Sequence, residues 1–436
     1  MALASACAPG SNTEQPKDKP KSSISTDVAK AGDVTLTVWD QEVRGSQNKA
    51  MTKLNEEFQE KYPNVKIKRV SKEFGNLKDT LKLALSGKKP PDVVQANQGY
   101  GDMGAFVEAG YLAPLDSYAD VYDWRDRYSK TLLELNSFSE DGKNFGKGNL
   151  YGVSQTGEIV GLFYNKKKLD QLGLEEPKTW ADFTAQLKTI KSKGEQPIVF
   201  GNKDQYPAIH TYGMLQNRSS SKQDVVDTVF SRGDKSWDTP ANEKAAATMQ
   251  DWAKKGYLSK GANGYGYDQA AADFGKGKGV YLNTGTWLAG DLMDSMGKNV
   301  GFMAPPAAAG GDPYTTGGQG LSWSITGKSK NQDVAAAYLD FITNSHAADV
   351  VTESGGLPAM PPKSAEPESG TALAQIFSEW ESLNESNNLV PYLDYTTPDF
   401  YDTMAAELQK LVGSQTTPKS CVQTIDEDYA KFQESK

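Results

Sequence analysis

The chain has 436 residues, more than one ordinary core holds, so two domains are expected. Its net charge of −9 and lack of any long basic run exclude nucleic acid and an anionic membrane surface as partners, and no apolar stretch nears the roughly 20 residues that span a bilayer. Two cysteines and two histidines exclude a transition-metal cluster, and neither Cys7 nor Cys421 has CxxC spacing.

The head reads Ala-Leu-Ala-Ser-Ala-Cys over residues 2–7. Small residues before a cysteine resemble the end of a bacterial lipoprotein signal, with Cys7 as the lipid-bearing residue, although the charged and long apolar parts of such a signal are missing. Residues 8–32 are rich in Pro, Ser, Thr, Lys and Asp and cannot bury enough apolar surface to offset their ordering entropy, so residues 1–32 read as an anchor and flexible linker. Contact with the membrane is expected only through that anchor, which takes more than one acyl chain.

The body opens with an alternating, β-branched strand at 33–39, Asp-Val-Thr-Leu-Thr-Val-Trp. Met51, Leu54 and Phe58 mark a helix over 46–61. A strand at 65–70, a helix at 77–86 and a strand at 92–95 follow. This β-α-β-α-β order implies a largely parallel sheet, with ligands gathering beyond the carboxyl ends of its strands. Gly99-Tyr-Gly-Asp-Met-Gly104 fits GxGxxG but follows the third strand, and Tyr100 and Asp102 would crowd and repel a pyrophosphate. Thr326-Gly-Lys-Ser329 lacks the P-loop glycine, since Ser322 stands there. No cofactor is expected.

Residues 149–169 are the pivot. The apolar half, 159–164, is a buried strand, and the polar half carries Ser154, Gln155, Thr156 and Glu158, as suits a chain crossing from one lobe to another past a polar cleft. Beyond it come a helix at 179–193 capped by Thr179, a short strand at 197–200, a loop at 201–210 and a helix at 241–255. Part of a helix at 270–274 and strands at 279–283 and 300–303 complete this half. The Gly-rich run 310–320 reads as a return crossing. A strand at 321–326, a helix at 331–343, a third crossing near 355–362 and helices at 371–383, 400–412 and 424–434 finish the chain. The expected division is lobe 1 at 33–148 plus 304–350 and lobe 2 at 149–303 plus 351–436, hinged, with the ligand between them.

An ordered set of short motifs carries a family resemblance: Val34-Thr-Leu-Thr-Val-Trp, Phe58-Gln-Glu-Lys-Tyr-Pro-Asn-Val-Lys-Ile, Pro91-Asp-Val-Val-Gln-Ala-Asn, Leu162-Phe-Tyr-Asn-Lys, Pro177-Lys-Thr-Trp-Ala-Asp-Phe, Asn283-Thr-Gly-Thr-Trp and Gly317-Gly-Gln-Gly. Over about residues 33–430 the chain resembles the extracytoplasmic sugar-binding proteins of ABC importers, and the first 40 residues of the body resemble most the actinobacterial binders of xylo- or cello-oligosaccharides. The resemblance implies an α/β, two-lobed, periplasmic-binding-protein-like (class II) fold with a mostly parallel sheet in each lobe. It also implies a monomeric carrier, not an enzyme, that closes on an oligosaccharide such as xylobiose and presents it to the permease subunits of an ABC transporter at the outer face of the cell membrane.

A sugar offers hydroxyls and apolar C–H faces, so its site needs bidentate hydrogen-bonding groups and flat rings. Strand-end positions supply Gln41, Glu42 and Arg44, then Asn97 and Gln98, then Gln155 and Glu158 at the crossing and Asn283 in the second lobe. The rings are Trp39, Tyr206, Trp287, Trp323 and Tyr392, though a strand Trp more often belongs to a core. His210 reads as an ordinary loop histidine. Tyr265 and Tyr267 stand in or beside a Gly-rich loop that could reach the cleft. The rival class is a glycoside hydrolase, which needs two carboxylates about 5–10 Å apart; no nucleophile elbow, HExxH or Ser-x-x-Lys motif is present.

Overall fold

The structure is a computed structural model in which residues 15–309, 311 and 313–436 are described; the expected lipid-bearing Cys7 lies outside them. Among the described residues the strands are, in chain order, β1 (Val34–Asp40), β2 (Val65–Ser71), β3 (Val93–Ala96), β4 (Ser137–Phe138), β5 (Asn149–Leu150), β6 (Gly157–Asn165), β7 (Ile198–Val199), β8 (Tyr281–Gly285), β9 (Val300–Met303), β10 (Thr315–Gln319), β11 (Ser322–Ile325) and β12 (Leu389–Val390).

Two main sheets organise the lobes. The first has the order β11-β3-β1-β2. β1 runs parallel to β2, Val34 opposite Val65, and to β3, Val38 opposite Val93. In β1 the residues Val34, Leu36 and Val38 are buried, as alternation requires. Helix Gly45–Lys61 connects β1 to β2 and buries Met51, Leu54 and Phe58. Helix Phe74–Ser86 leads to β3 and is capped by Glu73, whose carboxylate accepts the Gly75 and Asn76 N–H groups.

The second sheet has the order β12-β10-β6-β8-β7, with β9 also paired to β6. All nine residues of β6 are buried, so it is the central strand. Here the expectation of a mostly parallel sheet meets a difference: β6 is antiparallel to β8, β9 and β10, and the parallel pairs are β7–β8 and β10–β12. β8 and β9 each return along β6 after a helical segment, and β10 after the loop that follows β9, so all three run against it.

The connections between the sheets lie side by side. Val153 bridges Trp323 and Thr156 bridges Pro358. Gly157 N–H donates to Leu357 O, Ala359 N–H to Gln155 O and Gly320 N–H to Thr156 O. Three short extended segments held to one another give a narrow waist on which the lobes can swing.

Three local expectations change. Residues 206–210 are not loop: helix Tyr206–Gln216 starts there, with Pro207 in its first turn, and ten of its residues are buried. A helix apolar on nearly every face carries no 3.6-residue stripe in sequence. Residues 315–319 of the glycine-rich run form β10, a strand of the second sheet. Residues 15–32 do not hang free. Val28 is buried, Lys19 pairs with Asp333 at 2.6 Å, the Ser117 hydroxyl donates to Asp18 at 2.7 Å, and Asn64 donates to the carbonyls of Val28 and Gly32. One buried valine and a set of complementary polar groups suffice to dock a segment whose composition alone reads as solvated.

The GxGxxG decoy also has a packing explanation. Gly99 has φ 81°, and a Cβ there would stand 2.3 Å from Tyr395 Cα. Its glycine is needed for close approach of the 395–398 segment, with no pyrophosphate involved.

Candidate ligand-binding site

The first side of the cleft is built at the carboxyl end of β1. Asp40 is fully buried and takes both Arg69 Nε and Nη2, at 2.6 and 2.9 Å, while its Oδ1 accepts the Glu42 N–H at 2.9 Å. That ion pair folds residues 41–44 back over the strand end. Gln95 of β3 completes the loop: its Oε1 accepts the Gln41 N–H at 2.8 Å and its Nε2 donates to Glu42 Oε1 at 2.7 Å. Glu42 Oε2 is buried with no protein partner. Burial, helped by the nearby Asp40 charge, pushes the Glu42 carboxyl up to about 7, against the Gln95 bond and the Arg69 and Arg44 charges.

The facing side comes from the second sheet. Glu158 is on β6, 7% exposed, and its Oε2 accepts the Tyr392 hydroxyl at 2.8 Å. Burial pushes Glu158 up to about 7 as well; the Tyr392 bond opposes this and the Glu42 charge reinforces it. Tyr206 and His210 project one turn apart from the same helix, their rings 5.7 Å between centroids. His210 lies 5.3 Å from the Trp287 ring and 5.7 Å from Tyr392. Burial lowers its imidazole to about 4, so it is neutral at pH 7, and its Nδ1 has no protein partner.

These groups enclose a cavity of about 630 Å³, counted out into its mouth. Gln41, Arg44, Asn97, Glu158, Tyr206, Trp287 and Tyr392, all candidates from the sequence, line it. An inner chamber shares Gln47, Glu158 and Trp287 with it and is lined also by Glu42, Gln155 and Thr286. Gln155 faces that chamber, although its amide is spent on Ile342 O at 2.8 Å.

Four expected residues do not reach either space. Asn283 is buried inside β8, accepting from the Thr211 hydroxyl at 3.0 Å and donating to Gly161 O at 2.9 Å, because β8 runs two residues further than the sequence suggested. Gln98 bridges Gly320 O and the Tyr395 hydroxyl, each at 2.9 Å, and ties the waist instead of lining the cleft. Trp323 is fully buried in β11, where its ring belongs to the core. Trp39 likewise lines neither space: it packs partly buried against the core with Lys72 Nζ 4.2 Å from its ring centroid.

Sequence reasoning missed Gln47, Phe74, His210 and Gln319, and the segment after β12 with Asp394, Tyr395 and Tyr401, all of which line the cavity. Asp394 accepts from Asn97 at 3.1 Å. Their proximity to Tyr392 in sequence was the available signal. Among the described residues no group of three or more His, Cys, Asp or Glu is placed to hold a metal ion, and no helix is long and apolar enough to cross a membrane.

Fold and site together define a binding protein of two α/β lobes with an aromatic, polar cleft between them. The model of the bacterial extracellular solute-binding protein family matches residues 44–349, and the chain belongs to that family. It is 23% identical over 335 residues to the multiple sugar-binding protein of Streptococcus mutans, 76% of each chain. It is 25% identical over 385 residues to the diacetylchitobiose binding protein DasA of Streptomyces coelicolor, 82% of this chain and 84% of that one. A structure solved in work on xylan utilization by Caldanaerobius polysaccharolyticus superposes with a TM-score of 0.78 at 25% identity, over 90% of this chain and 99% of the other. Members of this family bind solutes and do not transform them, so the hydrolase alternative is set aside.

Proposed function

We propose that the chain captures a neutral oligosaccharide in the interlobe cleft and delivers it to the permease subunits of an ABC transporter. One observation carries the reading: Glu42 Oε2, Arg44 Nε, Gln47 Oε1 and His210 Nδ1 are buried without protein partners in the walls of the cavity and its inner chamber, which also carry the rings of Tyr206, Trp287 and Tyr392. Buried polar groups are costly when unpaired. A ligand that donates and accepts hydrogen bonds at many points and has apolar ring faces satisfies this set, and a saccharide is such a ligand. One fixed guanidinium faces two carboxyls whose proton affinity is raised, which suits a neutral partner better than a strongly charged one.

The finer reading is a β-1,4-linked xylo- or cello-oligosaccharide such as xylobiose. The relatives named for sugars and the structure associated with xylan utilization support this direction. The lobe boundaries we propose are those of the sequence with one change. Residues 304–319 join lobe 2, since β9 and β10 both pair with β6 and Arg218 donates to the carbonyls of Pro305 and Pro306, and lobe 1 resumes at β11. We propose further that the protein acts as a monomer at the outer face of the cell membrane, anchored through Cys7.

Calorimetric titration with xylobiose, cellobiose, maltose, galactobiose and sn-glycerol 3-phosphate tests the reading. Saturable binding of xylobiose or cellobiose with no new reducing ends is expected. Binding of maltose or galactobiose alone overturns the linkage, and binding of glycerol phosphate alone, or of nothing, overturns the saccharide.

A further inference from the structure

Tyr267 lines neither chamber, yet three parts of the cleft converge on it. It is buried at the start of helix Tyr267–Gly275. Its hydroxyl stands 2.6 Å from Trp287 Nε1 and 2.5 Å from Thr284 Oγ1. An indole N–H can only donate, so the phenol oxygen accepts from Trp287, while either hydroxyl can donate in its contact with Thr284. The face of the Tyr267 ring carries the Arg44 guanidinium, 5.5 Å from centroid to Cζ. The next residue, Asp268, accepts from Arg44 Nη2 at 3.0 Å. The indole itself lies over Gly285, where a Cβ would stand 1.9 Å from the ring. Packing therefore fixes one face of Trp287, and its rotation within that slot is opposed by a single polar contact, the one to Tyr267.

We propose that Tyr267 is a positioning residue that holds the Trp287 indole in the orientation the ligand meets and seats Arg44 of the facing lobe, so that one side chain sets both the ring platform and the closed approach of the lobes. This rests on reading Trp287 as part of the ligand floor. Burial pushes the Tyr267 hydroxyl up to about 12, so the phenol is protonated at neutral pH.

The test is a double-mutant cycle of Tyr267→Phe and Trp287→Phe, titrated with xylobiose and cellobiose. Phe at 287 has no N–H, so a residue acting through the indole loses its effect there. Tyr267→Phe is expected to weaken binding roughly tenfold in the otherwise native chain, the scale of one lost buried hydrogen bond, and by less than about twofold when Trp287 is already Phe. Equal weakening in both backgrounds overturns the proposal, as does no weakening in the first. A readout free of ligand separates this from the saccharide reading: in protein labelled with 5-fluorotryptophan, the fluorine resonance that Trp287→Phe removes should shift and broaden in Tyr267→Phe. An unmoved line overturns the proposal even if sugar binds. Should Tyr267→Phe fail to fold, Thr284→Val keeps the phenol but removes its hydroxyl partner, and the same dependence on Trp287, smaller in size, is expected.

Discussion

Arg44 of the first lobe reaches across the cleft to Asp268 of the second, with Nη2 to Oδ1 at 3.0 Å. The two ends of this bond live in different surroundings: the Arg44 side chain is 11% exposed and the Asp268 side chain 65%. The contact is one of several between lobes, with Ser46 N–H on Asp291 at 3.3 Å and Lys78 facing Asp402 at 3.8 Å. Separating the lobes from this arrangement must break these contacts as well as any to ligand.

Removing the exposed partner should therefore cost little. Asp268→Asn is expected to shift the binding free energy by less than about 1 kcal/mol, with the change in the dissociation rate and sensitive to salt. Arg44→Gln should cost on the order of 2 kcal/mol, because a buried charged donor that faces the cavity is lost. Stopped-flow fluorescence with xylobiose measures both, and a larger effect for Asp268→Asn than for Arg44→Gln counts against this account.

Trp287 and Trp323 were both candidate sugar platforms, Trp323 the one more apt as a strand residue to belong to the core, and the fold separates them. Trp287→Ala should lower affinity by about 2 kcal/mol with a small change in melting temperature. Trp323→Ala should lower stability by about 3–5 kcal/mol, since a fully buried ring leaves a large cavity, and leave the affinity of the folded fraction near native. Paired denaturant melts and calorimetry distinguish the two patterns.

The buried acids make stability depend on pH in a stated direction. Glu42 and Glu158 have folded-state values near 7, above the usual carboxylate value near 4.3. Their contribution is complete below about pH 4.3 and is lost as pH rises toward 7, because the unfolded chain ionises first. His210, lowered to about 4, works the other way: its contribution is present above about 6.5 and lost as pH falls toward 4. With two acids against one base, the ligand-free protein should lose stability from these groups between pH 4.5 and 6.5. Glu42→Gln or Glu158→Gln should flatten that slope and His210→Gln should steepen it. Urea melts across this range check the sign.

Gly99→Ala puts a methyl group 2.3 Å from Tyr395 Cα at φ 81°. Backbone strain and the clash should cost several kcal/mol and loosen the segment bearing Asp394 and Tyr395. A variant as stable as the native chain would mean that this approach is not needed.

Much of the architecture was legible in the residues alone. Alternation in Val34–Asp40, the helical spacing of Met51, Leu54 and Phe58, and the unbroken apolar strand at Ile159–Tyr164 are local signals, since period and burial are written in neighbouring side chains. So was the polar strand end bearing Gln41, Glu42 and Arg44, since loops after parallel strands gather at one edge. The tertiary structure decided which of several like residues face the cleft. Asn283 and Trp287 are four residues apart, yet one spends both amide groups inside the sheet and the other floors the cavity. His210 becomes a cleft residue because a helix buried on nearly every face turns it toward Trp287, and Asp394 and Tyr401 because the chain returns after β12 to the edge that Asn97 began. Sequence records what each side chain can bond to. The partner it finds depends on segments hundreds of positions away, and only packing brings these within the 3 Å over which a hydrogen bond acts.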